Sequence, residues 1–218
     1  MKKLAEAESG TKNVSAINKK FKEAGYKKLG SGADSTVWAK DEGSVIKILM
    51  PEDSNSLAEK VFLEFYNFVR SNPNLPNLPK FLESAQTMDI NGKSYTFVVM
   101  ERLQHIKRGS IDEAMVWILS DFAVKKMSWE AVLKELADPK TWEYWDGPPS
   151  VEKILQIVQT MDEQVSLRYG ILYQLMTLLY HTGRINKLGW DLHTENVMRR
   201  ADGTLVVIDP WFALGDNI

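Results

Sequence analysis

Within the stretch "WDLHTENVM", Trp190 to Met198, an Asp, a His, a Glu and an Asn fall inside six residues. Asp191 and Asn196 are five positions apart, and Asp209 follows Asn196 by 13 residues. The segment between them, "NVMRR-ADG-TLVVID", reads as a β-hairpin turning at Asp202-Gly203, so its second strand can bring Asp209 back beside Asn196. An Asp and an Asn that converge in this way suit Mg²⁺, a hard cation that takes oxygen ligands and shares them with phosphates. Asp191 is then left to orient a nucleophile or accept its proton. The competing reading is a polar surface loop, since loops commonly collect Asp, Asn and His.

A second group lies near the other end of the chain. In "LGSGADSTVW", Gly30 and Gly32 sit at a strand turn, with Ser31 between them and Ser35 and Val37 entering the next strand. Glycines let backbone N–H groups approach an anion without Cβ clashes, although a lone Gly-x-Gly is more often a simple turn. "VIKIL" follows, with Lys47 between Ile46 and Ile48. A lysine inside a buried strand requires an anionic partner; on an edge strand it would simply face water. On the helix expected over 57–69, Leu57, Val61, Glu64 and Phe68 share one face at helical steps, which nominates Glu64 as that partner and turns Glu59 away. The other reading places Glu64 at the margin of the stripe, in water.

The elements that must position these residues divide into two kinds. Helical spacing of Val14, Ile17, Phe21 and Ala24 predicts an opening helix over 12–24, stopped by Gly25. "YKKLGSG", "STVWAK" and "SVIKIL" read as strands, the last two joined by "KDEG". "AQTMDINGKSYTFVVM" is a hairpin with the Asn91-Gly92 turn, and the Pro-rich "NPNLPNLPK" ends the helix before it. From Ser110 to about residue 185 the pattern is helical throughout, with "SVEKILQIVQTMDEQ" as one helix capped by Ser150. The expectation is an α+β fold of two lobes: residues 1–102 as a strand-rich lobe with one key helix, residues 103–218 as a mostly helical lobe. Ligand pockets favour domain interfaces, so an ATP site between the lobes is expected.

The bulk numbers exclude several classes. The 218 residues carry a net charge of −2, and the basic pairs are scattered, as on a solvated surface, so no nucleic-acid reader is expected. Without cysteine there is no disulfide, thiolate metal site or cysteine nucleophile. No apolar run approaches the roughly 20 residues of a membrane span, and "MKKLAEAESG" has no signal-peptide core. A cytoplasmic protein is the expectation.

Taken in order, these residues resemble the protein kinase-like superfamily from about Tyr26 to Trp211. The glycine-rich loop of that family resembles "LGSGADSTVW", with Ser35 where a third glycine usually stands. Its strand lysine matches Lys47 and its helix glutamate Glu64. "VVMERL" resembles the segment joining the lobes, which implies that Met100 guards the back of an adenine pocket and that Glu101 and Leu103 offer backbone groups to the adenine edge. The Asp-x-x-x-x-Asn core of the catalytic loop matches Asp191 and Asn196, and the metal-binding Asp matches Asp209, here in "DPW". The resemblance implies ATP and Mg²⁺ as cofactors, with Asn196 and Asp209 as metal ligands, and Lys47, Asp191 and Asn196 as the reacting machinery.

The departures narrow the resemblance. His193 replaces the lysine of eukaryotic-type loops, as in aminoglycoside phosphotransferases; it would touch the γ-phosphate if protonated, or else brace the loop. Trp190 replaces the arginine that reads a phosphorylated activation loop. Nine residues follow Asp209, without an Ala-Pro-Glu segment or the helices that carry the aminoglycoside site. The chain looks most like the short serine/threonine kinases of podophages, which implies a protein Ser or Thr acceptor and host proteins of transcription or RNA metabolism as targets. A small-molecule phosphotransferase, a toxin-type kinase and a nucleotide-binding pseudokinase are the alternatives. Ser31, Ser35 and Thr36, in the phosphate loop, are candidate autophosphorylation sites, and phosphate there would repel ATP. Trp129, Trp142 and Trp145 are expected to be packed rather than to form a binding patch.

Overall fold

A computed structural model describes residues 16–32, 34–50, 57–143 and 150–214. The chain divides into two compact units, one of residues 1–72 and 79–102, the other of residues 73–78 and 103–218. The architecture is α+β.

The first unit is built on a five-stranded antiparallel sheet in the order β1-β2-β3-β5-β4. Its strands are β1 (Lys27–Ser31), β2 (Ser35–Ala39), β3 (Ser44–Leu49), β4 (Gln86–Ile90) and β5 (Lys93–Glu101). The β2–β3 turn is held by Asp41, whose Oδ1 accepts from the N–H groups of Gly43 (2.8 Å) and Ser44 (2.7 Å) while Oδ2 accepts from the Ser44 hydroxyl (2.7 Å). These donors, the Ser44 hydroxyl first, hold its carboxyl below the usual carboxylate range. At the β4–β5 turn Asn91 and Gly92 both take positive φ, 53° and 75°, as a tight primed turn demands.

Helices cover both faces of this sheet. From residues 16–23, helix α1 supplies Ile17 and Phe21 to a core with Trp38, Ile46, Ile48, Tyr95 and Val99. On the opposite face, α2 (Leu57–Ser71) packs Phe62 and Tyr66 against Leu49 and Val98. Burial on both sides is why every residue of the central strand β3 is buried. Residues 12–15 of the expected first helix lie outside the described residues.

In the second unit, α3 (Ile111–Lys125) packs along α6 (Glu163–Ile185), with α4 (Trp129–Ala137) and α5 (Val151–Thr160) between them in sequence. Ser110, Ser128 and Asp162 cap α3, α4 and α6 through side-chain oxygens that accept from Glu113, Ala131 and Val165 N–H. The single helix expected over 150–164 is instead broken at Met161, because Asp162 starts a new helix with its own cap. Ser150 occupies the N-cap of α5 without a side-chain cap bond.

Five short strands complete this unit. β6 (Gln104–His105), β8 (Val197–Arg199) and β9 (Leu205–Val207) form one sheet, and β7 (Leu188–Trp190) pairs with β10 (Trp211–Ala213). The expected β8–β9 hairpin is present, with Gly203 at φ 92° in its turn. Residues 73–78, expected with the first lobe, belong to this unit because they are laced to that hairpin. Asn77 Nδ2 donates to the Leu205 carbonyl (2.6 Å), Val207 N donates to the Asn77 carbonyl (2.9 Å), and the Arg200 guanidinium donates to the carbonyls of Pro76 and Leu78.

Candidate active site

The second unit brings Asp191, Asn196 and Asp209 together through the backbone. Ile208 N donates to the Asn196 carbonyl, and Asp191 N donates to the Pro210 carbonyl, both at 2.9 Å. Asp209 is thus clamped from both sides, one neighbour tied to Asn196 and the other to Asp191. The β7–β10 pairing extends this clamp, since Trp190 lies directly opposite Trp211. That pairing was not foreseen: strands of three residues carry too little periodicity to be read.

Asn196 caps the geometry. Its Nδ2 donates to the Asp191 carbonyl at 2.6 Å and approaches Asp191 Oδ2 at 3.2 Å. Glu195 N donates to His193 Nδ1 (3.3 Å), and His193 Nε2 lies 3.2 Å from Asn196 Nδ2 and 3.8 Å from Asp191 Oδ1. His193 therefore braces the loop, while Glu195 is exposed. The Trp190 indole N–H donates to Ser120 Oγ (3.0 Å), and that hydroxyl donates to the Leu192 carbonyl (3.1 Å), so α3 grips the loop on both sides of Asp191. Ser120 was missed in the sequence, where nothing distinguishes it from other helical serines. With its side chain 46% exposed, the Asp191 carboxylate is open to an incoming hydroxyl.

Asn196 commits its amide nitrogen to Asp191, so Oδ1 is the atom it can offer a metal, and the Ile208–Asn196 backbone bond brings the chain at Asp209 back beside Asn196. Among the described residues no three His, Cys, Asp or Glu side chains are grouped to hold a metal by themselves. A two-residue oxygen set suits Mg²⁺, which keeps several waters and completes its shell with phosphate oxygens, better than an all-protein cage.

The first unit holds the other set. Lys47 lies on β3, directly across from Val37 and Val98, and is only 9% exposed. It is therefore in the middle of the sheet and not on an edge. Its ammonium sits 4.4 Å from the centre of the Phe62 ring on α2, a cation–π contact.

Glu64 does not face it. The buried side of α2 is Val61, Phe62, Phe65, Tyr66 and Val69, and Glu64 is exposed on the other side. The inward face is turned by about one residue, roughly 100°, from the 57/61/64/68 stripe, because Phe62 and Tyr66 pack on Leu49 and Val98 of the sheet. Glu59 is the half-buried carboxylate of this helix and accepts a hydrogen bond from the Thr96 hydroxyl on β5. Thr96 and Val98 share a sheet face, and Val98 is opposite Lys47. Glu59 thus belongs to the Lys47 face, contrary to the sequence-based expectation.

The glycine-rich turn is a continuation of the β1–β2 hairpin, with Gly30 opposite Val37, Ser31 opposite Thr36, and Gly32 N donating to the Ser35 carbonyl (2.9 Å). A Cβ on Gly30 would meet nothing within 4 Å, and one on Gly32 only Ser35 Oγ at 4.0 Å. The fold itself does not demand glycine at either position. Ser31 is exposed, whereas Thr36 is buried and accepts from the Trp38 indole (3.1 Å), which removes it from the candidate phosphorylation sites.

Met100 is buried on β5 and bridges to Phe81. Glu101 N and Arg102 N already donate to the carbonyls of Lys80 and Gly43. Leu103 follows them, half-buried, as the first residue of the second unit's longer segment. Trp142 is buried, its indole donating to the Leu136 carbonyl (3.2 Å), and Trp129 packs against Tyr173; Trp145 lies outside the described residues.

No helix among the described residues is long and apolar enough to cross a membrane. No family model matches the sequence, and no curated protein matches it. Among solved structures, the chain is similar to the crystal structure of aminoglycoside phosphotransferase from Alicyclobacillus acidocaldarius subsp. acidocaldarius DSM 446, at 11% identity and a TM-score of 0.36. The match covers 84% of this chain and 61% of that one, so the chain spans about three fifths of the length of that structure.

Proposed function

We propose that this chain transfers the γ-phosphoryl group of ATP to a hydroxyl, with a Ser or Thr of a protein as the acceptor. The observation that carries the reading is the double backbone clamp that sets Asp209 against Asn196 and Asp191. An exposed carboxylate beside a pair of hard oxygen donors is what in-line phosphoryl transfer requires, because that chemistry is mostly positioning and charge neutralisation.

In this reading the acceptor hydroxyl hydrogen-bonds to the Asp191 carboxylate. Its oxygen forms the new bond to Pγ as the bond from Pγ to the β-bridging oxygen breaks, the proton passes to Asp191, and ADP leaves. A base so placed contributes about 10²- to 10⁴-fold. Asn196 and Asp209 would hold Mg²⁺, which supplies neutralisation of the phosphate charge. Lys47 steadies the phosphates, and Glu59 sets the Lys47 face. Gly30, Ser31, Gly32 and Ser35 cover the phosphates with backbone groups, while Met100, Glu101 and Leu103 frame the adenine.

The protein acceptor is supported by the "Asp-x-His-x-x-Asn … Asp-Pro" pattern shared with podophage kinases, and host proteins of transcription or RNA metabolism are the class to search first. His193 supports a second reading, a small-molecule phosphotransferase. Incubation with γ-labelled ATP, Mg²⁺ and a bacterial lysate, beside Asp191→Asn, separates them. Label on lysate proteins that disappears in the variant supports the first reading. Label confined to small metabolites supports the second, and ATP binding without any transfer leaves a nucleotide-binding module.

A further inference from the structure

The second unit contains a cluster of charges that phosphoryl transfer does not use. Asp112, in the first turn of α3, is buried, and its carboxylate is approached by two guanidinium groups. Arg168 Nη2 lies 2.9 Å from Oδ1 and Arg199 Nη1 lies 3.4 Å from Oδ2. The Tyr169 hydroxyl donates to Oδ1 as well, at 2.8 Å. Two arginines on one carboxylate leave a net positive charge in the cluster.

What the arginines do with their remaining nitrogens is more informative. A Cβ built on Gly203, in the β8–β9 turn, would lie 3.3 Å from Arg199 Nη2, 3.7 Å from Arg168 Nη1 and 3.8 Å from Arg199 Nε. Each guanidinium therefore gives one nitrogen to Asp112, Arg168 Nη2 donating to the Tyr169 hydroxyl as well (3.0 Å), and packs another nitrogen beside the same glycine. Arg168 Nε is buried with no hydrogen-bond partner among the described residues. Arg199 has its side chain 46% exposed, so the cluster is open to solvent on that side. The neighbouring charges are otherwise engaged: Arg200 on the carbonyls of Pro76 and Leu78, and Asp202 Oδ1 on Thr204 N–H (2.9 Å).

We propose that Arg168 and Arg199, braced by Asp112 around Gly203, form a binding site for a phosphoryl group. A planar carboxylate is matched by one guanidinium fork. Here the available N–H groups come from two forks, and the three terminal oxygens of a phosphoryl group can accept from both. The carboxylate underneath presets the two like-charged groups side by side, so the ligand does not have to bring them together. The site is separate from Asp191, Asn196 and Asp209 in residues and does not depend on the transfer chemistry. Its phosphoryl group can come from free phosphate or from a phosphorylated Ser or Thr of a partner protein.

Calorimetric titration of the full chain with inorganic phosphate, a phosphoserine peptide and the same peptide without phosphate tests this, at low and at physiological salt. The expected result is saturable, salt-weakened binding that Arg199→Gln reduces by about 10- to 100-fold. Arg199→Lys, which keeps the ion pair with Asp112 but not the fork, should fall in between and guards against a folding defect in the glutamine variant. Tighter binding of the phosphopeptide than of phosphate assigns the site to a partner protein, and equal binding assigns it to small phosphates. Binding that is absent, or unchanged by Arg199→Gln, overturns the proposal and leaves the cluster as an ion-pair network that only holds α3, α6 and β8 together.

Discussion

Thr96 on β5 donates its hydroxyl hydrogen to the carboxylate of Glu59 on α2, and this bond fixes which acid of the helix serves the face that holds Lys47. Phe62, one turn after Glu59, carries the Lys47 ammonium over its ring at 4.4 Å. The two carboxylates of α2 thus differ in kind: Glu59 is half-buried and hydrogen-bonded to the sheet, and Glu64 is in water.

Glu59→Gln should therefore lower kcat for phosphoryl transfer by about 10- to 100-fold, equivalent to about 1.4 to 2.8 kcal/mol of barrier. Glu64→Gln should leave it unchanged, as an exposed substitution away from any special contact. Steady-state kinetics on the pair decides it, and equal losses in both variants would remove Glu59 from the role.

Why the sequence pointed to Glu64 is a matter of helix phase. Apart from Leu63, the large apolar residues of α2 (Leu57, Val61, Phe62, Phe65, Tyr66, Phe68 and Val69) cover one side of the helix, with Glu59 and Glu64 flanking its two margins. The 57/61/64/68 stripe follows the Glu64 margin, whereas the packing of Phe62 and Tyr66 on Leu49 and Val98 turns the Glu59 margin towards the sheet. By contrast the burial of Lys47 was legible, because it stands between Ile46 and Ile48 in a run that reads as a central strand. Asp191, Asn196 and Asp209 were legible because the Asp202-Gly203 turn sets how far the hairpin returns. The Arg168–Asp112–Arg199 cluster was not, since its members are 56 and 31 residues apart in sequence and meet only through the packing of α3, α6 and β8.

Two glycines beside the site should respond differently to alanine. A Cβ on Gly183 of α6 would lie 2.6 Å from Trp211 Nε1 and 2.9 Å from Cδ1. That indole is buried and bonded to the Leu179 carbonyl at 3.0 Å, so it has nowhere to go. A Cβ on Gly189 would meet the Phe212 ring, but Phe212 is 44% exposed and can swing into water. Gly183→Ala should cost about 1 to 3 kcal/mol and Gly189→Ala less, read as the shift in thermal midpoint. Because Trp211 is two residues from Asp209, Gly183→Ala should also lower activity in the folded fraction.

Tyr169 offers a test in alkaline solution. Burial, then the adjacent Asp112 charge, pushes its phenol well above the ordinary tyrosine range. The unfolded chain releases this proton near pH 10 while the folded chain keeps it. The stabilisation is therefore complete below about pH 10 and is lost as pH rises from there towards the folded value. Tyr169→Phe should be less stable at neutral pH by about 1 kcal/mol, for the lost hydrogen bond. Above pH 10 its stability should fall less steeply than that of the parent, by up to about 1.4 kcal/mol per pH unit. Urea unfolding at a series of pH values reads both, and parallel slopes would contradict the assignment.

The glycine-rich turn separates fold from function most cleanly. Neither Gly30 nor Gly32 takes a positive φ, and neither has backbone or core atoms where a Cβ would go. Structural reasons for glycine are thus absent at both positions, and alanine there should keep the thermal midpoint; on an exposed hairpin it even reduces the entropy of the unfolded chain. If these residues let backbone N–H groups come close to phosphates, Gly30→Ala and Gly32→Ala should instead raise KM for ATP, with the methyl group holding the nucleotide off. Unfolding and kinetics measured on the same preparations distinguish the cases. An unchanged midpoint with a raised KM supports phosphate contact at this turn, and an unchanged KM in both variants means that nucleotide does not lie against it.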